Sequence, residues 1–145
     1  MIKFKYYGEP VGKGRPRVTV RKGKGKDSAV YAHAYTPKKT KVFEDNIRFE
    51  FMANNHEKLP VYEKGVPLQA KMILAFGVPK SYSKKKTAAC LNGEIAYTHK
   101  PDADNVVKSV LDALSDAFDD SQVVKIYVEK IYAEEPYVEV EIDEL

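Results

Sequence analysis

Cysteine, tryptophan and long apolar runs are the scarce features of this chain. Cys90 is the one cysteine, so no internal disulfide can form, and a reducing, cytoplasmic setting is expected. The thiol reads as a packing residue. No apolar stretch approaches the roughly 20 residues of a membrane helix, so no membrane-spanning helix is expected. The opening MIKFKYYGEP alternates charge with bulk and carries no apolar signal-peptide core. His33, His56 and His99 are scattered, and with a single thiol they do not make a zinc site. Internal repeats and low-complexity linkers are absent too. At 145 residues the chain fits one domain, 1–145.

What is plentiful is charge, and it is unevenly placed. The net charge of +3 conceals 21 Lys/Arg against 8 Asp/Glu in residues 1–100, and 3 against 13 in residues 101–145. A cationic region beside a separate group of carboxylates points to a polyanionic partner. Seven basic residues fall between positions 13 and 26, among them Lys13, Arg15, Arg17 and Arg21. The glycines of Gly12-Lys13-Gly14-Arg15-Pro16-Arg17 and of residues 23–25 oppose a helix there, leaving a mobile basic loop or an irregular hairpin. Lys38 sits in the first turn of a helix, where a phosphate would be welcome at the positive end of the dipole. Lys84, Lys85 and Lys86 form a second basic segment with Tyr82 beside it, a ring able either to stack on a base or to anchor the loop. A small-substrate phosphohydrolase has no use for so wide a positive area.

Periodicity supplies the elements. Residues 2–7 alternate as a first strand, and residues 68–76 alternate Leu68, Ala70, Met72, Leu74, Phe76 as another. Thr36 reads as the N-cap and Pro37 as the first residue of a helix whose stripe Phe43, Ile47, Phe51 ends near Asn54-Asn55. A second helix follows Asp104, read as its N-cap, with the stripe Val106/Val107, Val110/Leu111, Leu114, Ala117/Phe118. Val124, Ile126, Val128 and then Val138, Val140, Ile142 form two strand faces around a turn at 134–136. The expected fold class is α/β (α+β): one small domain with a mixed β-sheet and two main helices.

The chemistry gathers at residues 100–123. If the backbone stays extended from Pro101 through Asp104, the side chains of Asp102 and Asp104 point the same way. Lys108 stands one turn beyond Asp104 on the same helix face. Asp119 and Asp120 close the far end. Like charges about 5 Å apart repel by roughly 3 kcal/mol at an effective dielectric near 20, so three converging carboxylates require a cation. Hard oxygen donors suit Mg²⁺ or Mn²⁺. On residue chemistry alone, Asp-x-Asp before a helix and Asp-Asp-Ser after it read equally as a cap and a turn.

The segment Lys100-Pro101-Asp102-Ala103-Asp104-Asn105, then Lys108, then Leu111-Asp112-Ala113-Leu114, then Asp119-Asp120-Ser121-Gln122-Val123 resembles the hallmark of the RusA family of Holliday-junction resolvases. Residues 12–17 and Tyr35-Thr36-Pro37-Lys38 are similar to the opening of its phage-type members. The likeness spans most of the chain and is sharp at 12–17, 35–39 and 100–123. It implies a dimer of mixed α/β fold that uses Mg²⁺, with Mn²⁺ as substitute, to cut four-way DNA junctions in symmetrically placed strands. It implies Asp102, Asp104 and Asp120 as metal-holding aspartates and Lys108 as a catalytic lysine. Asn105 and Asp119 match motif positions. Asp112 matches another, and its place one turn beyond Lys108 suggests a lysine-orienting ion pair. Lys13, Arg15, Arg17, Arg21, Lys38, Lys84, Lys85 and Lys86 are the expected DNA contacts. The basic segment 13–26 is longer than in the shorter members. The competing reading is a basic nucleic-acid-binding protein without catalysis, its carboxylates being caps and surface charge.

Overall fold

Alternation becomes strand geometry along β1 (Ile2–Tyr7), where Ile2 and Phe4 are buried and Lys3 and Lys5 exposed, as the two-residue period requires. The computed structural model describes residues 1–14, 17–22 and 30–145; Arg15, Pro16 and residues 23–29 lie outside it, as do the side chains of Arg17 and Arg21, so the DNA contacts expected of these three arginines are not described. Within the basic region the hairpin alternative holds: β2 (Arg17–Lys22) pairs antiparallel with β3 (Val30–Tyr35).

The main sheet has four strands in the order β1, β6 (Tyr137–Glu144), β4 (Leu68–Gly77), β5 (Val123–Ala133). β4 runs antiparallel to β6 and parallel to β5, so the sheet is mixed as expected. A parallel pair cannot be joined by a tight turn. Here the crossover carries α2 (Lys84–Leu91) and α3 (Ala103–Ala113), and with them the carboxylates. α1 (Lys38–Asn54) packs beside α3 over the same sheet face.

One core results. Phe43, Ile47 and Phe51 of α1, Val106 and Val110 of α3, and Leu68, Met72, Leu74, Val138, Val140 and Ile142 of the sheet share it. Each such side chain contributes about 1.5–3 kcal/mol by leaving water. The uncovered sheet face is laid out in opposite charges. Glu141 lies between Lys3 and Lys71, and Glu139 lies beside Lys5, pairings that stabilise neighbouring strands.

Several local expectations are corrected. Thr36 is exposed and is no cap; Pro37 holds the N-cap position with ψ 142° and no side-chain hydrogen bond. The chain is still extended at Pro37, so helical geometry begins one residue later than expected. α3 starts at Ala103 with Asp102, not Asp104, in the N-cap position. The extended run stops there, and period-two geometry does not govern Asp102 and Asp104. α3 also ends at Ala113, although Leu114, Ala117 and Phe118 remain buried in the turns beyond it. The described residues hold three helices rather than two. Lys84, Lys85 and Lys86 form the first turn of the unexpected one, whose Ser83 Oγ accepts the Lys86 N–H at 3.2 Å. Val124 and Ile126 are exposed on β5, the edge strand of the sheet. Among the described residues no helix is long and apolar enough to cross a membrane.

Candidate active site

The two ends of α3 are built differently. At its start the backbone is clamped. Lys130 Nζ donates to the carbonyls of His99 at 2.7 Å and Pro101 at 2.9 Å, and Tyr97 Oη donates to the carbonyl of Lys100 at 2.8 Å. Tyr97 stacks on Phe76 with centroids 3.9 Å apart, and Lys130 lies 5.1 Å over its ring. Burial raises the Tyr97 hydroxyl pKa, so it stays a donor. These contacts fix the chain just before Asp102 while leaving the Asp102 and Asp104 side chains exposed. Asp102 meets Lys100 Nζ at 2.9 Å. That hydrogen bond, the charge of Lys100 and, more weakly, that of Lys130 hold its carboxyl below the ordinary aspartate range.

Beyond the helix the carboxylates are framed by side chains. Asp119 Oδ1 accepts from Ser121 N at 3.0 Å and from Ser121 Oγ at 2.9 Å, and Gln122 Oε1 accepts the Asp119 N–H at 2.9 Å. This reciprocal capping satisfies donors that a short turn leaves free. The backbone and hydroxyl bonds of Ser121 lower the Asp119 pKa. Gln122, buried, ties the turn to the body through the carbonyls of Glu63 at 2.8 Å and Val66 at 3.0 Å. Asp119 thus shapes the 3₁₀ turn Asp120–Gln122, and that turn delivers Asp120 to Lys108 Nζ at 3.4 Å.

Lys108 also meets Asp112 Oδ1 at 3.1 Å, one turn on, which is the ion pair expected there. Lys13 contacts the other oxygen, Asp112 Oδ2, at 3.1 Å and Glu44 Oε1 at 2.6 Å. Hydrogen bonds and charge from Asp112, then from Asp120, raise the Lys108 pKa. Burial alone would raise the Asp112 carboxyl, but its bonds to Lys13 and Lys108 outweigh burial and lower it. Burial works against the Lys13 ammonium, and its bonds to Glu44 and Asp112 prevail, raising its pKa.

The sequence-predicted residues therefore divide. Lys108, Asp112 and Asp120 come together with Lys13. Asp102, Asn105 and Lys13 line a cavity of about 620 Å³, and Asp112, Asp119 and Asp120 line another of about 340 Å³. Among the described residues, no three His, Cys, Asp or Glu side chains stand together as a cation cage. The donors suit Mg²⁺ as hard oxygens, and Asp104, Lys108 and Asp112 follow at one-turn intervals along one face of α3. Asp120, however, rests on an ammonium rather than against Asp102 and Asp104. Lys38 and Lys84–Lys86 are exposed. Lys86 Nζ lies 3.9 Å over the Tyr82 ring, and burial pushes the Tyr132 hydroxyl up to about 12.

Glu44, Thr40 and Lys130 were not singled out in the sequence, and Gln122 was named there only as part of the motif 119–123. Lys130 had a signal, since period-two spacing from Val128 turns it toward the helix side of β5. Glu44 follows Thr40 by one turn beside the buried stripe of α1, but nothing local tells that Lys13 reaches it.

The family model described as Endodeoxyribonuclease RusA matches residues 7–143. A protein of Bacillus subtilis (strain 168), named as uncharacterized protein YqaN, is 40% identical over 146 residues, 99% of this chain and 96% of that protein.

Proposed function

From membership of the RusA endodeoxyribonuclease family, to which this chain belongs, we propose that the protein is a Mg²⁺-dependent endodeoxyribonuclease that resolves four-way DNA junctions in recombination and repair. It hydrolyses phosphodiester bonds in symmetrically placed strands. The observation that carries the reading is the contact of Lys108 with Asp120, which joins the two halves of the family's motif across 12 residues of chain. Asp102, Asp104 and Asp120 would hold Mg²⁺, or Mn²⁺ in its place. When bound, such an ion lowers the pKa of water and offsets phosphoryl charge.

The chain's own residues supply the rest. Asp102 and Asp104 are exposed on a backbone clamped by Lys130, so their carboxylates are available without rebuilding the helix start. Lys108 is held protonated and can neutralise charge at the leaving oxygen once Asp120 turns from it. Lys38, Lys84, Lys85 and Lys86, with Arg15, Arg17 and Arg21, would bind the sugar–phosphate backbone, so affinity should fall steeply with salt. A homodimer suits a twofold substrate. Its support is β5, which has β4 as its one described neighbour and exposes Val124, Ile126 and Tyr127 along a free edge.

The deciding experiment is a gel of a synthetic four-way junction and a linear duplex, each with and without Mg²⁺. Paired nicks in the junction alone, dependent on the ion, are expected. Asp120→Asn should retain junction binding and lose cutting by about 10³-fold or more. Binding without ion-dependent cutting by the unaltered chain would leave a non-catalytic DNA-binding protein and end the nuclease reading.

A further inference from the structure

Lys13 begins the basic segment, yet its ammonium is held between two carboxylates, Glu44 and Asp112. Its side chain is 24% exposed, and those of Glu44 and Asp112 are 20% and 26% exposed. By contrast, the Arg48–Asp116 pair is 47% and 44% exposed. The chain around Lys13 is stitched to both helices. Lys13 N donates to the carbonyl of Asn105 at 2.9 Å, and Gly14 N donates to Thr40 Oγ1 at 3.0 Å. A side chain at Gly12 would come within 3.1 Å of Pro101, and one at Gly14 within 2.8 Å of Pro37. Glycine therefore permits the strap to lie this close.

Asp112 has its two oxygens divided, Oδ2 to Lys13 and Oδ1 to Lys108. A carboxylate with one oxygen already taken cannot offer both to a second ammonium. We infer that Glu44 and Lys13 are positioning residues for Lys108: Glu44 fixes Lys13, Lys13 occupies one oxygen of Asp112, and Lys108 is left bridging the other oxygen and Asp120. The inference rests on the nuclease reading and adds to it a role for α1. Without Lys13, Asp112 is free to rotate and draw Lys108 back along α3, away from Asp120. Without Glu44, Lys13 has no second carboxylate to hold it in place and follows Asp112. Lys13 is already paired with these two carboxylates, so neither change removes an unpaired cation.

The test separates rate from affinity. Single-turnover cleavage of a four-way junction with Mg²⁺ is measured beside junction affinity at several salt concentrations without it. Glu44→Gln is expected to slow cutting roughly 10-fold and Lys13→Met roughly 10- to 100-fold, the scale of a misplaced catalytic group. Junction Kd should stay within about twofold with its salt slope unchanged. Because Glu44 acts through Lys13, the double variant should be no slower than Lys13→Met. A weakened Kd with a shallower salt slope makes Lys13 a phosphate contact and overturns the inference. Additive losses, or wild-type rates in Glu44→Gln, overturn it as well. If Lys13→Met does not fold by circular dichroism, Glu44→Gln combined with Asp112→Asn decides on the same criterion of non-additivity. Failure of the unaltered protein to cut removes the nuclease reading and this inference together, whereas normal cutting by Glu44→Gln removes the inference alone.

Discussion

The start and the end of α3 both carry aspartates, but opposite halves of the chemistry hold them. At the start, Lys130 grips carbonyls and leaves Asp102 and Asp104 exposed. At the end, side chains grip the carboxylates themselves, Lys108 on Asp112 and Asp120 and the capping turn on Asp119. The difference teaches that backbone order and carboxylate availability are separable. A ligand arriving at the start meets exposed carboxylates on a fixed frame, with only the solvent-exposed Lys100 to displace from Asp102. One arriving at the end must compete with an ammonium shared by two carboxylates, Asp112 and Asp120. Breaking each set of contacts should therefore have consequences of different kinds.

The largest effect on stability is expected from Lys130→Met. It removes two charge-assisted hydrogen bonds to carbonyls, worth together about 2–3 kcal/mol where partly buried. Urea melts should show that loss. Amide exchange should quicken at Val106, whose N–H bonds the carbonyl of Asp102 at 3.2 Å, and stay unchanged at Gln122. Equal loss of protection at Gln122 would mean that the two ends are one unit.

Next comes Asp112→Asn, which breaks the double ion pair at the other end. The cost should be about 1–2 kcal/mol, between exposed and buried pairs. Its pH dependence has a definite sign. The folded Asp112 carboxyl lies below its usual value, so its contribution is present above the unfolded pKa of about 3.9. It fades as pH falls through the lower folded value. Melting temperatures of wild type and variant should differ by a constant amount from about pH 5 to 8 and converge at more acid pH. A gap that widened on acidification would reverse the assignment.

How much of this was written in the sequence follows from which forces are local. The alternation of β1 and β4 and the stripe Phe43, Ile47, Phe51 were legible because period and burial coincide there. α2 was hidden because its first turn is three lysines, which place no apolar residue where a helical stripe would begin. The start of α3 was misplaced by two residues because Asp102 and Asp104 are both plausible caps, and the choice is made by Lys130, 28 positions beyond Asp102. The aspartates and Lys108 were legible as a motif. Their partners were not, since Lys13 reaches Glu44 and Asp112 across 31 and 99 residues of chain, and no spacing encodes such a meeting.

The smallest effect is expected from Lys100→Met, and it sharpens the comparison most. Lys100 and Asp102 make an ion pair at 2.9 Å with side chains 85% and 51% exposed. Water screens a pair so placed, and holding two mobile side chains together offsets what attraction remains. The melting temperature should therefore not move measurably at any pH. The Asp102 carboxyl itself should respond, since Lys100 is the main cause of its lowered pKa; followed by NMR, it should titrate at higher pH in the variant. A local titration shift without a global stability change is what a carboxylate poised on a separately anchored backbone should give. A loss of stability matching that of Asp112→Asn would mean instead that the lysine on Asp102, and not the one on the carbonyls, holds the start of α3.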